Sequence, residues 1–159
     1  MTLLEYGDFA CPRCGVAAVI VDEIRRRMGH QLRFVYRHFP IVEIHPHAER
    51  AAEAAEAAGS QGDFWPMHDL LFLRQKMLDD DDLLLDAADL GFEIARFAEE
   101  LASRSHRIRV RQDVVSGIRS GVRATPTFFV NDVRLGGAHD AASLMSAVAR
   151  SAARHPWTR

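Results

Sequence analysis

Residues 11–14 read Cys11-Pro12-Arg13-Cys14, and the interpretation of the whole sequence depends on this short stretch. Its two cysteines are the only ones in the 159-residue chain. A mostly apolar run just before it predicts a strand, and Pro12 suits the first position of a helix. The spacing therefore predicts a redox dithiol, with Cys11 at the N-terminus of a helix and Cys14 one turn further along it.

The start of the predicted helix should make Cys11 reactive. The thiolate, rather than the thiol, attacks a disulfide. Free N–H groups and a partial positive charge at a helix N-terminus favour that anion, and Arg13 adds a cation beside it. We therefore expect the pKa of Cys11 to lie within the range of about 3.5–7.5 found at such sites. We expect Cys14 to be more deeply buried and to act as the resolving thiol, which releases a bound substrate.

A zinc site and a structural disulfide are the alternatives to redox chemistry. Zinc usually takes four ligands, but the sequence has no second Cys-x-x-Cys pair, and the spacing of His45 and His47 is unusual for zinc ligands. A structural bridge that closes so short a loop stabilises little. The strand–turn–helix setting therefore favours redox chemistry, and we expect neither a metal nor an organic cofactor.

Length and composition indicate one globular domain. A chain of 159 residues with 48% hydrophobic and 26% charged residues is long enough to bury a core. The formal charge of -2 gives no sign of a nucleic-acid or anionic-membrane partner. The sequence shows neither a secretory signal peptide nor an apolar run near the roughly 18 residues of a membrane span. We expect a cytoplasmic protein, or an exported one if the sequence is trimmed.

Hydrophobic periodicity predicts strands near both ends of the chain and a long helical region between them. The predicted strands are residues 3–6, 32–37, 127–130 and 133–135. The predicted helices are residues 12–28, 48–58, 63–73, 79–90, 94–102, 104–120 and 140–149. Asp63, Asp79 and Asp140 are expected at helix N-termini, and residues 155–159 form a frayed tail. A parallel return through the dithiol helix makes the first two strands a βαβ unit.

Three stretches carry a resemblance to a known family. They read EYGDFACPRCG at residues 5–15, RHFPIVEIHPHAERAAEAAEAAGSQGDFWPMHDLLF at residues 37–72, and GVRATPTFFVND at residues 121–132. The chain resembles the DsbA-like thiol-disulfide oxidoreductases. The middle stretch is especially similar to the thioredoxin-like domain attached to some sodium/proton antiporters.

The resemblance implies an α/β, thioredoxin-like fold with an all-helical insertion between an N-terminal βαβ unit and a C-terminal ββα unit. It implies a single domain over residues 1–159. The thioredoxin core would comprise residues 1–46 and 122–153, and the insertion residues 47–121.

The resemblance also implies roles for individual residues. Cys11 matches the nucleophile and Cys14 its buried partner. Pro126 matches a proline that takes a cis peptide bond beside the dithiol; such a bond costs little, and proline brings no N–H that would compete for a substrate strand. The backbone of Thr125 would then pair with a bound peptide as an added strand. An ordinary trans turn proline is the alternative.

Glu5 matches an acid that family members bury beneath the active site. In that role it would relay a proton to or from Cys14. The alternative is a strand residue that faces solvent. Strand alternation favours the relay, because it places Glu5 and Leu3 on one side of the strand among apolar neighbours.

Other histidine and aromatic residues are expected to have structural or solvent-facing positions. His38, His45 and His47 are expected to be exposed loop residues, although they could influence the electrostatics near Cys11. The expected core of the insertion is an aromatic and aliphatic set, with an apolar peptide groove as the alternative: Phe64, Trp65, Met67, Leu71 and Phe72.

The sequence therefore predicts an enzyme that performs thiol–disulfide exchange. Its expected partners are cysteine-containing proteins or peptides and a redox partner or small thiol. Pro12 and Arg13, between the cysteines, are expected to tune the electrostatics of the dithiol. The alternatives are a disulfide reductase or isomerase, and a non-catalytic interaction domain tethered to a transporter.

Overall fold

A four-stranded mixed sheet supports the dithiol. The computed structural model describes residues 1–136 and 141–154. The strands are β1 (Thr2–Gly7), β2 (Arg33–His38), β3 (Thr127–Val130) and β4 (Val133–Arg134), in the order β2-β1-β3-β4. β1 is parallel to β2 and antiparallel to β3, and β4 is antiparallel to β3. The central position of β1 places the chain that follows it, which contains the dithiol, over the middle of the sheet.

The helices fall into the predicted order. The dithiol helix is α1 (Pro12–Met28), and it provides the crossover that a parallel β1–β2 pair requires. Five helices stand between β2 and β3: α2 (Ala48–Ser60), α3 (Phe64–Leu73), α4 (Asp80–Asp89), α5 (Ile94–Ala102) and α6 (Arg107–Arg119). The final helix is α7 (Ala141–Arg154). This arrangement is the predicted α/β fold with a helical block between two sheet-forming parts.

Side-chain caps explain where two of these helices begin. The Asp79 carboxylate accepts a hydrogen bond of 2.9 Å from the backbone N–H of Asp82, as predicted for α4. Glu93 caps α5 in the same way, accepting from Arg96 at 3.1 Å. Asp63 occupies the N-cap position of α3, but its side chain makes no capping hydrogen bond. The predicted Asp140 cap and the tail at residues 155–159 lie outside the described residues.

The start of α6 differs from the prediction. The helix begins at Arg107 rather than at residue 104. Arg104 has a φ of 56°, which is a left-handed backbone conformation that interrupts a right-handed helix. Its guanidinium donates to Glu49 at 2.7 Å and also to the buried Glu53 carboxylate on α2. This tertiary contact holds the turn before α6 against α2. Local helix propensity does not depend on such a contact, so the sequence predicted a helix that begins too early.

Apolar clusters pack against both faces of the sheet, and the cluster of Tyr6, Phe39 and Val122 lies on the face opposite to the two clusters described next. One cluster joins the dithiol to the helical block, and it buries the predicted Met67 and Leu71 completely. Phe64 and Trp65 are half-buried and pack against it. A second cluster lies under α1 and α7: Leu3, Ala17, Val21, Ile24, Phe128, Val130, Leu144 and Val148. Each large side chain that is fully buried contributes about 1.5–3 kcal/mol relative to an exposed one.

The length and the hydropathy of a helix decide whether it can cross a membrane. Among the described residues, no helix has both the length and the apolar character needed to cross a bilayer.

Candidate active site

The dithiol lies at the N-terminus of α1. Cys11 occupies the N-cap position with extended backbone (φ -79°, ψ 118°), and Pro12 begins the helix. The backbone N–H of Cys14 donates to the Cys11 carbonyl at 3.0 Å, which closes the first turn. Both cysteines are free thiols; Cys11 is 6% exposed and Cys14 is fully buried. Little of Cys11 is therefore accessible from outside the protein.

The two thiols have opposite acidities. A hydrogen bond from the Cys14 thiol is the main reason that the pKa of Cys11 falls from 9.0 to about 5, despite the opposing effect of burial. The Thr125 side chain, and then the backbone N–H groups of Cys14 and Arg13 at the helix start, lower the pKa of Cys11 further. Burial raises the pKa of Cys14 far above its ordinary value, and the neighbouring Cys11 and Glu5 raise it further. One thiol is thus an anion at neutral pH, while the other keeps its proton.

The loop before β3 faces the Cys11 sulfur. The Sγ of Cys11 lies 3.6 Å from the carbonyl oxygen of Thr125, and Thr125 is buried. The Thr125–Pro126 peptide bond is cis. Thr127 begins β3 next to Tyr6 of β1, and its hydroxyl donates to the Ala124 carbonyl at 2.7 Å. The pairing of β3 with β1 thus brings residues 124–126 next to the dithiol.

Glu5 is buried in the middle of β1. It is 1% exposed, and its Oε1 has no hydrogen-bond partner among the described residues. Burial, followed by the nearby negative charge of Cys11, raises the pKa of Glu5 from 4.5 to about 8. A carboxyl group with this pKa gains and loses a proton near neutral pH, as a proton-relay group requires.

Asp8 is a site residue that the sequence did not indicate. Its carboxylate is 2% exposed and accepts hydrogen bonds from the backbone N–H of Ala10 at 2.8 Å and of Ile41 at 3.0 Å. It also bonds to His45 Nδ1 at 2.8 Å. The Asp8 carbonyl accepts from the Cys11 N–H at 3.1 Å. Asp8 therefore joins the dithiol loop to the loop after β2.

Gln75 is a second site residue that the sequence did not indicate. Its side-chain amide donates to the carbonyls of Phe9 at 2.7 Å and Cys11 at 2.9 Å. A Cβ on Gly15 would collide with the Gln75 Oε1, so the glycine after Cys14 makes room for this side chain. In the sequence, the glycine at position 15 indicates that a neighbouring group needs space there, but it does not identify Gln75, 60 residues away, as that group.

The prediction for the histidines is wrong for His38. β2 continues through residue 38 rather than ending at residue 37, and this places the imidazole inside the protein with 1% exposure. Its Nε2 bonds to the Glu56 carboxylate on α2 at 2.9 Å. His45 is half-buried against Asp8, while His47 is exposed as predicted.

The described part of the chain contains no cluster of three or more histidine, cysteine, aspartate or glutamate side chains arranged to hold a metal ion.

A parallel crossover helix that starts with a cysteine pair, on a sheet of order β2-β1-β3-β4, defines the thioredoxin-fold class. The chain belongs to the thioredoxin family, because the family model with that description matches residues 1–150. This finding and the structural comparisons below confirm the predicted fold and the resemblance to DsbA-like proteins.

A curated relative is the Na(+)/H(+) antiporter NhaA 1 of Salinispora arenicola, which is 47% identical over 148 residues. The match covers 93% of this chain but only 22% of the antiporter, so the chain spans about a fifth of that relative's length. This sequence match confirms the predicted similarity to a domain attached to some antiporters.

Two solved structures share the fold. The thioredoxin-like oxidoreductase from Silicibacter pomeroyi has a TM-score of 0.83 and 26% identity, with 98% of this chain and 87% of that chain covered. The thiol-disulfide exchange protein alpha-DsbA2 from Wolbachia pipientis has a TM-score of 0.80 and 17% identity, with 94% and 80% covered.

Proposed function

We propose that this protein is an enzyme that exchanges disulfides with cysteine-containing protein or peptide substrates. The observation that carries the proposal is the Cys11 thiol, whose pKa of about 5 makes it about 99% thiolate at pH 7. It lies next to the buried Cys14, which remains protonated at that pH. The oxidoreductase from Silicibacter pomeroyi, with the same fold, supports this class of activity.

In the proposed reaction, the Cys11 thiolate attacks one sulfur of a substrate disulfide. A Cys11–substrate bond forms, and the other substrate sulfur leaves as a thiolate. Glu5 then takes the proton of Cys14, and the resulting Cys14 thiolate attacks the Cys11 sulfur. The Cys11–Cys14 disulfide forms as the substrate leaves with two reduced thiols. The same steps in reverse oxidise a substrate dithiol.

The loop at residues 124–126 is the proposed substrate platform. The Thr125 carbonyl is 3.6 Å from the attacking sulfur, so a peptide held by that backbone would present its own sulfur to Cys11. Pro126 brings no N–H to compete for hydrogen bonds with such a peptide. Pro12 and Arg13 contribute to the electrostatics at the start of α1 in this proposal.

We infer an oxidising dithiol. Stabilising the Cys11 thiolate stabilises the reduced form, which makes the disulfide a stronger oxidant. In the cytoplasmic location that the sequence predicts, the glutathione pool would nevertheless keep the dithiol reduced at rest. A reductase or isomerase is the alternative direction.

The test is a pair of single-cysteine variants mixed with a disulfide-containing protein such as insulin. Cys14→Ser should accumulate a stable Cys11–substrate disulfide, whereas Cys11→Ser should neither exchange nor trap. Mass spectrometry identifies the adduct. The match to part of an antiporter favours a second candidate, an interaction domain tethered to a transporter. Inactivity of the wild-type protein in both insulin reduction and dithiol oxidation, with intact thiols, would support that candidate instead.

A further inference from the structure

Tyr36 carries a buried hydroxyl that the proposed reaction does not use. The residue is 7% exposed and belongs to the same apolar cluster as Cys11 and Cys14. Its Oη has no hydrogen-bond partner among the described residues, and the same holds for the buried Oε1 of Glu5. Buried polar atoms are nearly always paired, so two unpaired oxygens in one region call for an explanation.

Strand register brings Tyr36 and Glu5 to the same place. Glu5 of β1 and Tyr36 of β2 are register partners in the parallel pair, and side chains at paired positions project to the same face of a sheet. Gly7 follows two positions later on that face. A Cβ on Gly7 would lie 2.7 Å from the Tyr36 Oη, so the hydroxyl lies over β1 at Gly7. The absence of a side chain at residue 7 provides the space for it.

The surroundings of the phenol favour its action as a hydrogen-bond donor. Burial raises the pKa of Tyr36 well above 10, so the hydroxyl keeps its proton throughout the physiological range. The titratable groups that face the phenol are two carboxyl groups, two thiols and two imidazoles: Glu5, Asp8, Cys11, Cys14, His38 and His68. A neutral donor among several acids stabilises whichever of them becomes charged.

We propose that Tyr36 is a positioning residue for the resolving step, and that its hydroxyl, which makes no hydrogen bond to Glu5 in this structure, donates one when the Glu5 carboxylate ionises and turns towards it. The proposal rests on the proposed function. Glu5 must be ionised before it takes the Cys14 proton, and the hydrogen bond favours that form. The proton moves from the Cys14 sulfur to Glu5, the Cys14–Cys11 bond forms, and the Cys11–substrate bond breaks. Tyr36 itself gains and loses no proton.

The test is Tyr36→Phe, which removes the hydroxyl and leaves the ring in contact with Phe9 at 5.3 Å between centroids. Release of glutathione from its mixed disulfide with Cys11 is followed by rapid mixing from pH 6 to pH 10. We expect the rise of the rate with pH to shift upward by about one unit, because Glu5 loses a donor to its charged form. Release should be about tenfold slower at pH 7, and the difference should vanish at pH 10.

Tyr6→Phe is the matched control. Tyr6 is a buried tyrosine on β1, in a separate cluster with Phe39 and Val122, and its hydroxyl is bonded to Ser116 Oγ at 2.9 Å. Its loss should leave the pH profile of release unchanged. A Tyr36→Phe profile that matches wild type at every pH overturns the proposal. A wild-type protein that performs no exchange overturns the proposed function instead.

Carbon-13 NMR provides a readout that does not depend on activity. The Glu5 carboxyl should titrate about one unit higher in Tyr36→Phe than in wild type and Tyr6→Phe. If Tyr36→Phe does not fold, the ring carbon that carries the wild-type Tyr36 hydroxyl is followed instead, and its shift should move with the Glu5 titration. An unshifted Glu5 titration, or a Tyr36 signal that does not respond, overturns the contact.

Discussion

The acidity of Cys11 should depend mainly on its neighbour Cys14. The Cys14 thiol makes the largest contribution to the low pKa of Cys11, and the helix N–H groups contribute less. Cys14→Ala removes that donor. A hydrogen bond to a charged group is worth about 1.5–3 kcal/mol, which corresponds to about 1–2 pKa units. We therefore expect the pKa of Cys11 to rise from about 5 to roughly 6–7 in this variant.

The assay is the rate of alkylation of Cys11 as a function of pH. Each Cys14 variant contains a single cysteine, so the signal comes from Cys11 alone. At pH 5.5 the thiolate fraction should fall from about three quarters to between about 3% and 25%, and alkylation should slow in proportion. At pH 8 the thiolate should predominate in both proteins, so the rates should be similar.

Cys14→Ser is the control for this prediction, because serine keeps a hydrogen-bond donor at the same position. Its Cys11 pKa should stay closer to 5. If Cys14→Ala also titrates near 5, the prediction is refuted, and the Thr125 side chain and the start of α1 suffice to stabilise the thiolate. If it titrates near 9, neither of these contributes, which equally contradicts the prediction.

Three further substitutions test the surroundings of the dithiol. Glu5→Gln should slow resolution by Cys14. The folded protein raises the Glu5 pKa from 4.5 to about 8, so ionisation of Glu5 above pH 4.5 destabilises the folded state. Glutamine cannot ionise, so the variant should raise the free energy of unfolding by up to about 5 kcal/mol at pH 8. At pH 4 Glu5 is protonated in both states, and no such gain is expected. Gly15→Ala should displace Gln75 and destabilise the protein by about 1–2 kcal/mol, measured by urea unfolding. Asp8→Ala should cost about 3 kcal/mol in the same assay, since two backbone N–H groups lose their acceptor.

Control variants separate the predicted effects of Gly15→Ala and Asp8→Ala from the stability changes that any glycine-to-alanine or aspartate-to-alanine substitution can cause. Gly59→Ala places its Cβ at an ordinary 3.5 Å from Phe64, so it should stabilise α2 by up to about 1 kcal/mol. A gain of the same size for Gly15→Ala would argue against the Gln75 contact. Asp79→Ala removes only an exposed helix cap worth about 1 kcal/mol, and an equally small loss for Asp8→Ala would contradict its bridging role. For Glu5→Gln, an unfolding free energy unchanged at pH 8 would contradict the raised pKa.

The sequence was sufficient to predict the order of helices and strands. Proline at the start of α1, aspartate before α4 and the run of β-forming residues Thr127–Val130 in β3 act over a few neighbouring positions, so local physics predicts them. The Asn131-Asp132 turn is a similar case, since both residues adopt the positive φ that a tight hairpin turn requires (46° and 68°).

The contacts around the dithiol could not be predicted in the same way. Gln75 reaches Cys11 across 64 residues, and His38 is buried because α2 brings Glu56 to it. These contacts depend on how the helical block packs on the sheet, which no local pattern encodes. Arg104 shows the same limit, since its left-handed backbone accompanies an ion pair with another helix.

In the proposed function, Cys11 and Cys14 form a redox couple whose reduced form is stabilised by the Cys11 thiolate. Equilibration with glutathione buffers at pH 7, with the disulfide quantified by mass, tests it directly. Lowering the Cys11 pKa from 9.0 to about 5 stabilises the reduced form at pH 7 by about two pKa units, or about 60 mV. We expect a potential several tens of millivolts above the roughly −270 mV of thioredoxin. A value at or below that potential, or no Cys11–Cys14 disulfide in oxidising buffer, would contradict it.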